Sequence, residues 1–391
     1  MKFKVFSKIR FFFLIYSVMI FSACHDSDKI EPEYGERTVL IYMAADNNLN
    51  KDGETNIKSI LKGMEQTAGR LVIYIDPRYD VPRLLTVKGG KGCRLDTLET
   101  YTEENSASPE VLARVVKEVQ KRYPASSYGL VLWSHGLGWV PPEYSFPGGY
   151  AMRLPDPDMP RTKYYAEDEH PGTTGKAYMD IREMAARLPG HFSFILWDVC
   201  FMGGIEVAYE LRNKTDYMIA SPAEVISDGF PYEKMMPLLW GGEEAMKQIC
   251  REYYNHYNKY PVNSLWRSAV VGLVKTEELE PLAAKVRTLL AGKTDYARAW
   301  HYPLNQGGLP MVFFDFGDYI RKMTTEEEYN SFKKLLDRVV IYKAATEKLF
   351  GEEVPADKFS GLTSYIPFSE WSDMNTYYYT LDWGATVYEN N

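Results

Sequence analysis

Tyr128-Gly-Leu-Val-Leu-Trp-Ser-His135-Gly136 is one of two short apolar stretches that end on a reactive side chain; the other is Phe192-Ser-Phe-Ile-Leu-Trp-Asp-Val-Cys200. Neither alternates between polar and apolar residues, which is typical of strands buried on both faces of a parallel sheet. In such sheets, ligands and chemistry collect at the carboxyl ends of the strands. We therefore expect His135 and Cys200 at one edge of a sheet, as proton-transfer partner and nucleophile.

Strand-like runs and helical patterns alternate along the chain, which predicts an α/β layered domain. The predicted strands are 38–44, 71–76, 83–87, 128–134, 192–197 and 216–221, with helices at 109–123 and 179–188. Beyond about residue 240 the chain becomes helix-rich, with predicted helices near 243–260, 276–292 and 325–349. Three later strands, 268–275, 311–316 and 362–367, either extend the same sheet or form a C-terminal subdomain.

Four ordered segments resemble those of the clostripain family of cysteine peptidases. They are Val39-Leu-Ile-Tyr-Met-Ala-Ala-Asp-Asn-Asn-Leu49, Leu130-Val-Leu-Trp-Ser-His-Gly-Leu-Gly-Trp139, Asp198-Val-Cys-Phe-Met-Gly-Gly-Ile-Glu206 and Gly361-Leu-Thr-Ser-Tyr-Ile-Pro367. The resemblance implies a caspase-like three-layer α/β/α sandwich with a mostly parallel central sheet and a helix-rich C-terminal extension. It also implies hydrolysis of peptide bonds after Arg and Lys.

Cys200 needs activation because a free cysteine, with a pKa of about 8.5, is mostly a thiol at neutral pH. His135 is the predicted proton-transfer partner. A predicted helix at 205–212 would place Cys200 in the loop before a helix amino terminus, whose dipole favours an anion. The resemblance implies that the N–H groups of Gly136 and Cys200 form the oxyanion hole. The alternative is that Cys200 is a small core residue.

Two aspartates are candidates for substrate recognition. The resemblance implies that Asp198 and Asp228 line the pocket for a basic P1 side chain and bind it by charge-assisted hydrogen bonds. Either could instead stabilise a turn of the backbone. Asp46, Asn47 and Asn48 follow the first predicted strand. They either border the cleft or hold its loops by side-chain hydrogen bonds, and we expect the second.

A proline-rich insertion at 141–176 separates the histidine from the cysteine. A long loop inside a compact domain is usually functional or disordered. The resemblance implies self-cleavage in this interval, and the alternative is a passive surface insertion. The candidate cleavage sites are Arg153, Arg161, Lys163 and Lys176.

The amino terminus has the pattern of a bacterial lipoprotein signal, with basic residues before an apolar run at 11–21 and then Ser22-Ala-Cys24. This run is too short to cross a bilayer, which needs about 20 residues. We predict a signal peptide at 1–23, lipidation of Cys24, a tether at 24–36 and a peptidase domain at 37–391. The alternative is a cleaved signal peptide without lipidation. The predicted location is the bacterial cell envelope, on the outer membrane.

Composition excludes other classes of protein. The 391 residues are 45% hydrophobic and 25% charged, and the net charge is −8, which argues against nucleic-acid binding. Neither an HExxH nor a CxxC motif occurs, so the sequence predicts no metal site. The chemistry requires no cofactor, although the resemblance allows calcium. Cys93 and Cys250 are predicted to be structural.

The leading hypothesis is an exported, membrane-anchored cysteine endopeptidase whose partners are proteins or peptides with Arg or Lys at P1. The alternative is a catalytically inactive caspase-like lipoprotein that binds proteins or peptides at the cell envelope. The presence of both His135 and Cys200 favours the enzyme.

Overall fold

A nine-stranded sheet forms the centre of the protein. The computed structural model describes residues 35–141, 158–163, 179–304 and 312–388. In chain order the strands are β1 (Gly35–Ala45), β2 (Arg70–Pro77), β3 (Arg83–Lys88), β4 (Arg94–Thr100), β5 (Ala125–Trp133), β6 (Phe192–Asp198), β7 (Thr215–Ala220), β8 (Val270–Lys275), β9 (Phe314–Asp315), β10 (Val340–Ala345), β11 (Lys348–Leu349), β12 (Glu352–Glu353) and β13 (Thr363–Ser364).

Helices connect most of the strands. They are α1 (Asn50–Met64), α2 (Pro109–Arg122), α3 (Ile181–Arg187), α4 (Ile205–Glu210), α5 (Tyr232–Met235), α6 (Glu243–Asn258), α7 (Leu279–Leu290), α8 (Phe316–Met323), α9 (Glu326–Val339), α10 (Ser372–Tyr378) and α11 (Asp382–Tyr388). Side-chain caps mark the start of α2, α3, α8 and α9, and at α9 Thr325 and Glu328 form a capping box. None of the helices in the described ranges has the length and apolar character needed to cross a bilayer.

The middle of the sheet is parallel and its two sides are antiparallel. The strand order is β10-β8-β7-β6-β5-β1-β2-β3-β4. Strands β2, β1, β5, β6 and β7 pair in parallel, whereas β3 and β4 on one side and β8 and β10 on the other pair antiparallel. The central strands β2 and β6 are buried almost throughout, so both faces of the sheet are covered. The predicted layered α/β architecture is confirmed.

The C-terminal part both extends the sheet and adds a separate pair of strands. Strands β8 and β10 join the central sheet, while β9 and β13 form a separate two-stranded sheet. The predicted helix at 325–349 is wrong in its second half, because α9 ends at Val339 and β10 follows at once. Val340, Ile341 and Tyr342 favour a strand, and pairing with β8 decides the conformation.

Several sequence predictions fall on residues that the structure does not describe. The signal peptide, the lipidation site Cys24, and the candidate cleavage sites Arg153 and Lys176 lie outside the described residues. Arg161 and Lys163 lie within them.

Candidate active site

The register of two neighbouring strands brings the histidine and cysteine loops to one edge of the sheet. In the β5–β6 pair, Trp133 is aligned with Asp198, and His135 and Cys200 each follow two residues later. The two loops touch, because a Cβ on Gly136 would lie 2.3 Å from Cγ1 of Val199 and 3.4 Å from the carbonyl oxygen of Cys200. Only glycine allows this approach.

Asn48 orients the imidazole of His135. It follows β1, the neighbour of β5, and its Oδ1 lies 2.8 Å from Nε2 of His135. With the amide in this orientation, Nε2–H donates to Oδ1 and the lone pair is on Nδ1. A base held in one tautomer by a third group is the usual arrangement for activating a nucleophile.

The imidazole of His135 is neutral while the cleft is covered. Burial lowers its pKa to about 3, and the positive charges of Lys163 and Arg161 contribute, while the nearby carbonyl of Lys163 partly opposes the shift. The neutral ring can therefore accept a proton over the whole physiological range of pH.

The loop that carries Cys200 is bound to the chain that follows β7. Phe201 has a φ of 61°, and its N–H donates to the carbonyl of Ala223 at 3.0 Å. The N–H of Gly203 donates to Ser221 at 2.8 Å, and a Cβ on Gly203 would lie 2.5 Å from the nitrogen of Pro222. These contacts leave the thiol against the backbone of Val225, whose N–H donates to Sγ at 3.0 Å.

The thiol of Cys200 is not activated in this covered state. Burial raises the pKa of the thiol well above its ordinary value, and the nearby Glu224 carboxylate adds to the rise; the Val225 N–H and the charge on Lys163 oppose it. Helix α4 begins only at Ile205, whereas the dipole acts within the first turn. Cys200 therefore lies in the loop before α4, as expected, and its activation by the helix amino terminus stays a prediction.

Asp198 lies at the bottom of a narrow, buried pocket. Its Oδ2 accepts hydrogen bonds from the hydroxyl of Tyr232 at 2.9 Å and from the N–H of Phe230 at 3.4 Å. Gly229, with a φ of 72°, closes the pocket, since a Cβ there would lie 2.4 Å from the same oxygen. A carboxylate fixed and desolvated in this way favours a cationic partner.

The side chain of Lys163 fills this pocket. Its Nζ lies 2.7 Å from Oδ2 of Asp198 and 4.5 Å from the centre of the Trp133 ring, and neither partner of the ion pair is exposed to solvent. Burial lowers the pKa of Lys163, and Asp198 opposes that effect. The pocket thus satisfies the charge of a buried lysine with a carboxylate and an aromatic face.

The backbone of Arg161–Lys163 lies in the cleft as an added antiparallel strand. The N–H of Lys163 donates to the carbonyl of Val225 at 2.7 Å, and the N–H of Ser227 donates to the carbonyl of Arg161 at 2.8 Å. Thr162 forms an antiparallel β-bridge with Ile226. The carbonyl of Lys163 accepts the N–H of Gly136 at 3.4 Å. Strand addition of this kind is a common mode of peptide recognition.

Asp228 lies at the rim of the cleft. Its side chain is exposed, and its carbonyl accepts a hydrogen bond of 2.9 Å from Asn56, whose Oδ1 in turn binds the indole N–H of Trp133 at 2.7 Å. Lys163 pairs with Asp198 and not with this carboxylate. The role of Asp228 in binding a P1 side chain stays a prediction.

The sequence analysis did not single out Asn48 for the histidine. The expectation was that Asp46, Asn47 and Asn48 border the cleft or hold its loops, and Asn47 holds a loop by accepting the N–H of Leu49 at 2.9 Å. The position of Asn48 at the carboxyl end of a strand beside β5 was the available signal.

Clusters of acidic, histidine or cysteine side chains suited to a metal are absent from the part of the chain that the structure describes. No group of three or more His, Cys, Asp or Glu side chains there could hold a metal ion. Calcium also takes backbone and amide carbonyl oxygens as ligands, so the calcium that the resemblance allows stays a prediction.

Comparison with known proteins identifies the family. The sequence-family model of the clostripain family, the C11 peptidases, matches residues 41–383. Clostripain from Hathewaya histolytica is 26% identical over 237 residues, which are 52% of this chain and 42% of clostripain. The chain thus matches less than half the length of that relative.

Solved structures extend the similarity over almost the whole chain. An inactive zymogen of a C11 protease from Parabacteroides distasonis is 35% identical, with a TM-score of 0.76, and the match covers 92% of this chain and 99% of that one. A secreted C11 cysteine protease from Bacteroides thetaiotaomicron, solved with an irreversible peptide inhibitor, is 29% identical, with a TM-score of 0.75 and coverage of 90% and 99%. The predicted caspase-like fold is confirmed. The chain belongs to the clostripain family of cysteine peptidases.

Proposed function

We propose that this peptidase hydrolyses bonds after Lys and Arg with Cys200 and His135, and that it first cuts its own chain after Lys163. The observation behind this proposal is the docking of Lys163, whose side chain pairs with Asp198 while its carbonyl accepts the N–H of Gly136. A guanidinium at P1 would make charge-assisted hydrogen bonds to the same carboxylate.

The proposed reaction uses groups that the strand ends bring together. Sγ of Cys200 attacks the carbonyl carbon of residue 163, and His135 takes the thiol proton and passes it to the leaving amine of the next residue. The N–H groups of Gly136 and Cys200 stabilise the oxyanion. Water then hydrolyses the thioester, which leaves Lys163 with a free carboxylate and restores the thiol.

The relatives support a precursor that is covered before cleavage. The Parabacteroides distasonis protein is described as an inactive zymogen, and the Bacteroides thetaiotaomicron protein binds a peptide inhibitor irreversibly. In this chain, the thiol of Cys200 is fully buried beneath the docked segment. A covered thiol with a raised pKa is a poor nucleophile, so we expect the first cut to be slow.

Export and cofactor needs are also part of the proposal. We propose that Cys24 is lipidated and anchors the enzyme to the outer membrane, and that hydrolysis requires no cofactor. Cys24→Ser should release the protein from the membrane fraction, and persistent acylation of that variant would contradict the anchor. Activity that disappears with a calcium chelator and returns with calcium would contradict the absence of a cofactor.

The test of cleavage compares variants by intact mass. Wild type should give two fragments with a junction after Lys163 at a rate independent of protein concentration, whereas Cys200→Ala and His135→Ala should stay whole. Lys163→Ala should lose this junction, and Arg153→Ala and Lys176→Ala, which change the other candidate sites, should keep it. Full activity in an uncut wild type would contradict activation by cleavage. Turnover by Cys200→Ala would contradict the nucleophile.

A further inference from the structure

Each of three consecutive residues in the docked segment meets a different carboxylate. Lys163 pairs with Asp198, as described above. The hydroxyl of Thr162 donates to Oε2 of Glu224 at 2.5 Å. Nη2 of Arg161 lies 2.9 Å and 3.0 Å from the two carboxylate oxygens of Asp52.

The three acids come from separate parts of the fold. Asp52 is in the first turn of α1, Asp198 ends β6 and Glu224 lies in the loop after β7. Because the segment is paired along its backbone with Val225–Ser227, side chains at successive positions reach different walls of the cleft. The wall that meets P1 is thus distinct from those that meet P2 and P3.

Glu224 is suited to select a small hydroxyl side chain. Glu224 is 1% exposed and Thr162 is 5% exposed, so the hydrogen bond between them is shielded from water. A hydrogen bond to a buried carboxylate is stronger than one between neutral groups. Valine has the shape of threonine but lacks the hydroxyl that donates to Glu224. A long side chain would not fit, because this position is buried and does not open to solvent.

Asp52 is suited to select a positively charged side chain, but less strongly than Glu224 selects a hydroxyl. Its side chain is 11% exposed, while that of Arg161 is 62% exposed, so water screens the pair from one side. The bidentate contact still favours arginine by geometry. A glutamate in place of Arg161 would be repelled by Asp52.

We propose that Glu224 and Asp52 determine the P2 and P3 specificity of this peptidase, so that the favoured substrate sequence is Arg or Lys at P3, Thr or Ser at P2, and a basic residue at P1. The inference deepens the proposed function and rests on it, because it takes the docked segment Arg161–Lys163 as a substrate bound in its productive position.

The expected sizes follow from burial. A P2 change from Thr to Val should lower kcat/KM about tenfold, since the hydrogen bond to a buried charged group is lost. A P3 change from Arg to Gln should lower it only about threefold, because the pair with Asp52 is partly solvated. Glutamate at P3 should be worse than Gln.

The experiment uses the self-cleaved wild type, Glu224→Gln, Asp52→Asn and the control Glu54→Gln, which removes one charge from an exposed position of the same helix, α1. Active enzyme is titrated with an irreversible probe carrying Lys at P1. Values of kcat/KM are measured for four peptides that share Lys at P1: Arg-Thr-Lys, Arg-Val-Lys, Arg-Lys-Lys and Gln-Thr-Lys.

Ratios of kcat/KM within one variant separate specificity from overall activity. Glu224→Gln should shrink the Thr/Val ratio, Asp52→Asn should bring the Arg/Gln ratio close to 1, and Glu54→Gln should change neither. Equal hydrolysis of the Thr and Val peptides by wild type, preference for Lys at P2, or ratios unaffected by the variants would overturn the inference, even if Glu224→Gln does not fold. In those cases the proposed function still holds. Failure to hydrolyse any of the four peptides would overturn both.

Discussion

The cleft and the exposed outer surface near α1 each contain a lysine paired with a carboxylate, in opposite surroundings. Lys163 and Asp198 are 2.7 Å apart with both side chains fully buried, whereas Lys62 and Glu233 are 3.2 Å apart with 66% and 56% of the side chains exposed. Exposed pairs contribute about 0–1 kcal/mol. Removing one partner of a buried pair costs about 3–5 kcal/mol, because a charge is left unpaired.

This difference in burial decides whether an ion pair can discriminate between side chains. At the surface, either partner can be replaced by water, so the pair selects nothing. In the pocket, Asp198 accepts a hydrogen bond from Tyr232, Gly229 lies against its carboxylate, and neither side chain of the pair with Lys163 is exposed to solvent. Such a pocket penalises any neutral side chain, and that penalty is the physical basis for expecting Lys or Arg at P1.

The largest expected effect is on the protonation of His135. In uncut Cys200→Ala the buried imidazole should stay neutral at pH 5, since its pKa is lowered to about 3. After cleavage of the same variant by an added protease within the insertion, departure of the segment removes burial and the charges of Arg161 and Lys163. The pKa should then rise toward about 6.5, and at pH 5 the ring should be mostly protonated.

The measurement is NMR titration of the imidazole in both forms. Stability should follow the same sign: the folded uncut chain binds fewer protons at His135 than the unfolded chain between about pH 3 and 6.5, so this residue lowers the free energy of unfolding as the pH falls through that window. The same pKa before and after the cut would show that the segment does not cover the histidine.

The second prediction concerns stability. In the uncut Cys200→Ala background, Lys163→Met should lower the free energy of unfolding by about 3 kcal/mol, because Asp198 stays buried without its cation. Lys62→Met, the matched change in the exposed pair, should alter it by no more than about 0.5 kcal/mol. Urea denaturation of both variants measures the contrast. Equal values would mean that Lys163 does not hold the segment in the cleft.

The third prediction concerns catalysis by the cut enzyme. Asp198→Ala should lower kcat/KM for peptides with Lys or Arg at P1 by about 30-fold or more, since truncating one side of a desolvated pair costs about 2–5 kcal/mol. Peptides with Leu at P1 should be affected far less. Glu233→Ala, in the exposed pair, serves as the control and should leave both rates unchanged. An equal fall for Lys and Leu peptides would assign Asp198 to the fold and not to specificity.

The smallest expected effect is at the rim. The carboxylate of Asp228 is exposed, so Asp228→Ala should lower kcat/KM for basic P1 peptides only about two- to threefold, by loss of a screened attraction. The same peptides used for Asp198→Ala measure it at low and at high salt, and salt should reduce the difference. A loss as large as that of Asp198→Ala would show that Asp228 contacts the bound P1 side chain directly.

The strands and their edge could be predicted from the sequence because the signals are local. Unbroken apolar runs indicated β5 and β6, and parallel pairing brings the residues that follow them together. The end of α9 could not be predicted, because Val340–Ala345 becomes a strand only by pairing with β8. The strand propensity of these residues is weak evidence, because pairing with a strand more than 65 residues earlier in the chain decides the conformation.

The composition of the cleft was predicted only in part. Asp198 could be predicted because it is the last residue of β6. The sequence of the insertion, by contrast, does not distinguish Lys163 from the other basic residues there. Asn48 had only its place after the first strand as a signal, and Glu224 carries no periodic or motif signal that ties it to the site. Their roles depend on which loops meet, and that depends on the order of strands in the sheet.

By itself, the sequence determined the layered α/β class, the clostripain family, and the place of a histidine and a cysteine just after two neighbouring strands, because these depend on short runs and on ordered segments. Only the tertiary structure decided that Lys163 occupies the pocket, that Asp198 meets its charge, and that Asn48 orients the imidazole. The physical reason is that burial and charge pairing are properties of surroundings, and residues far apart in the chain build those surroundings together.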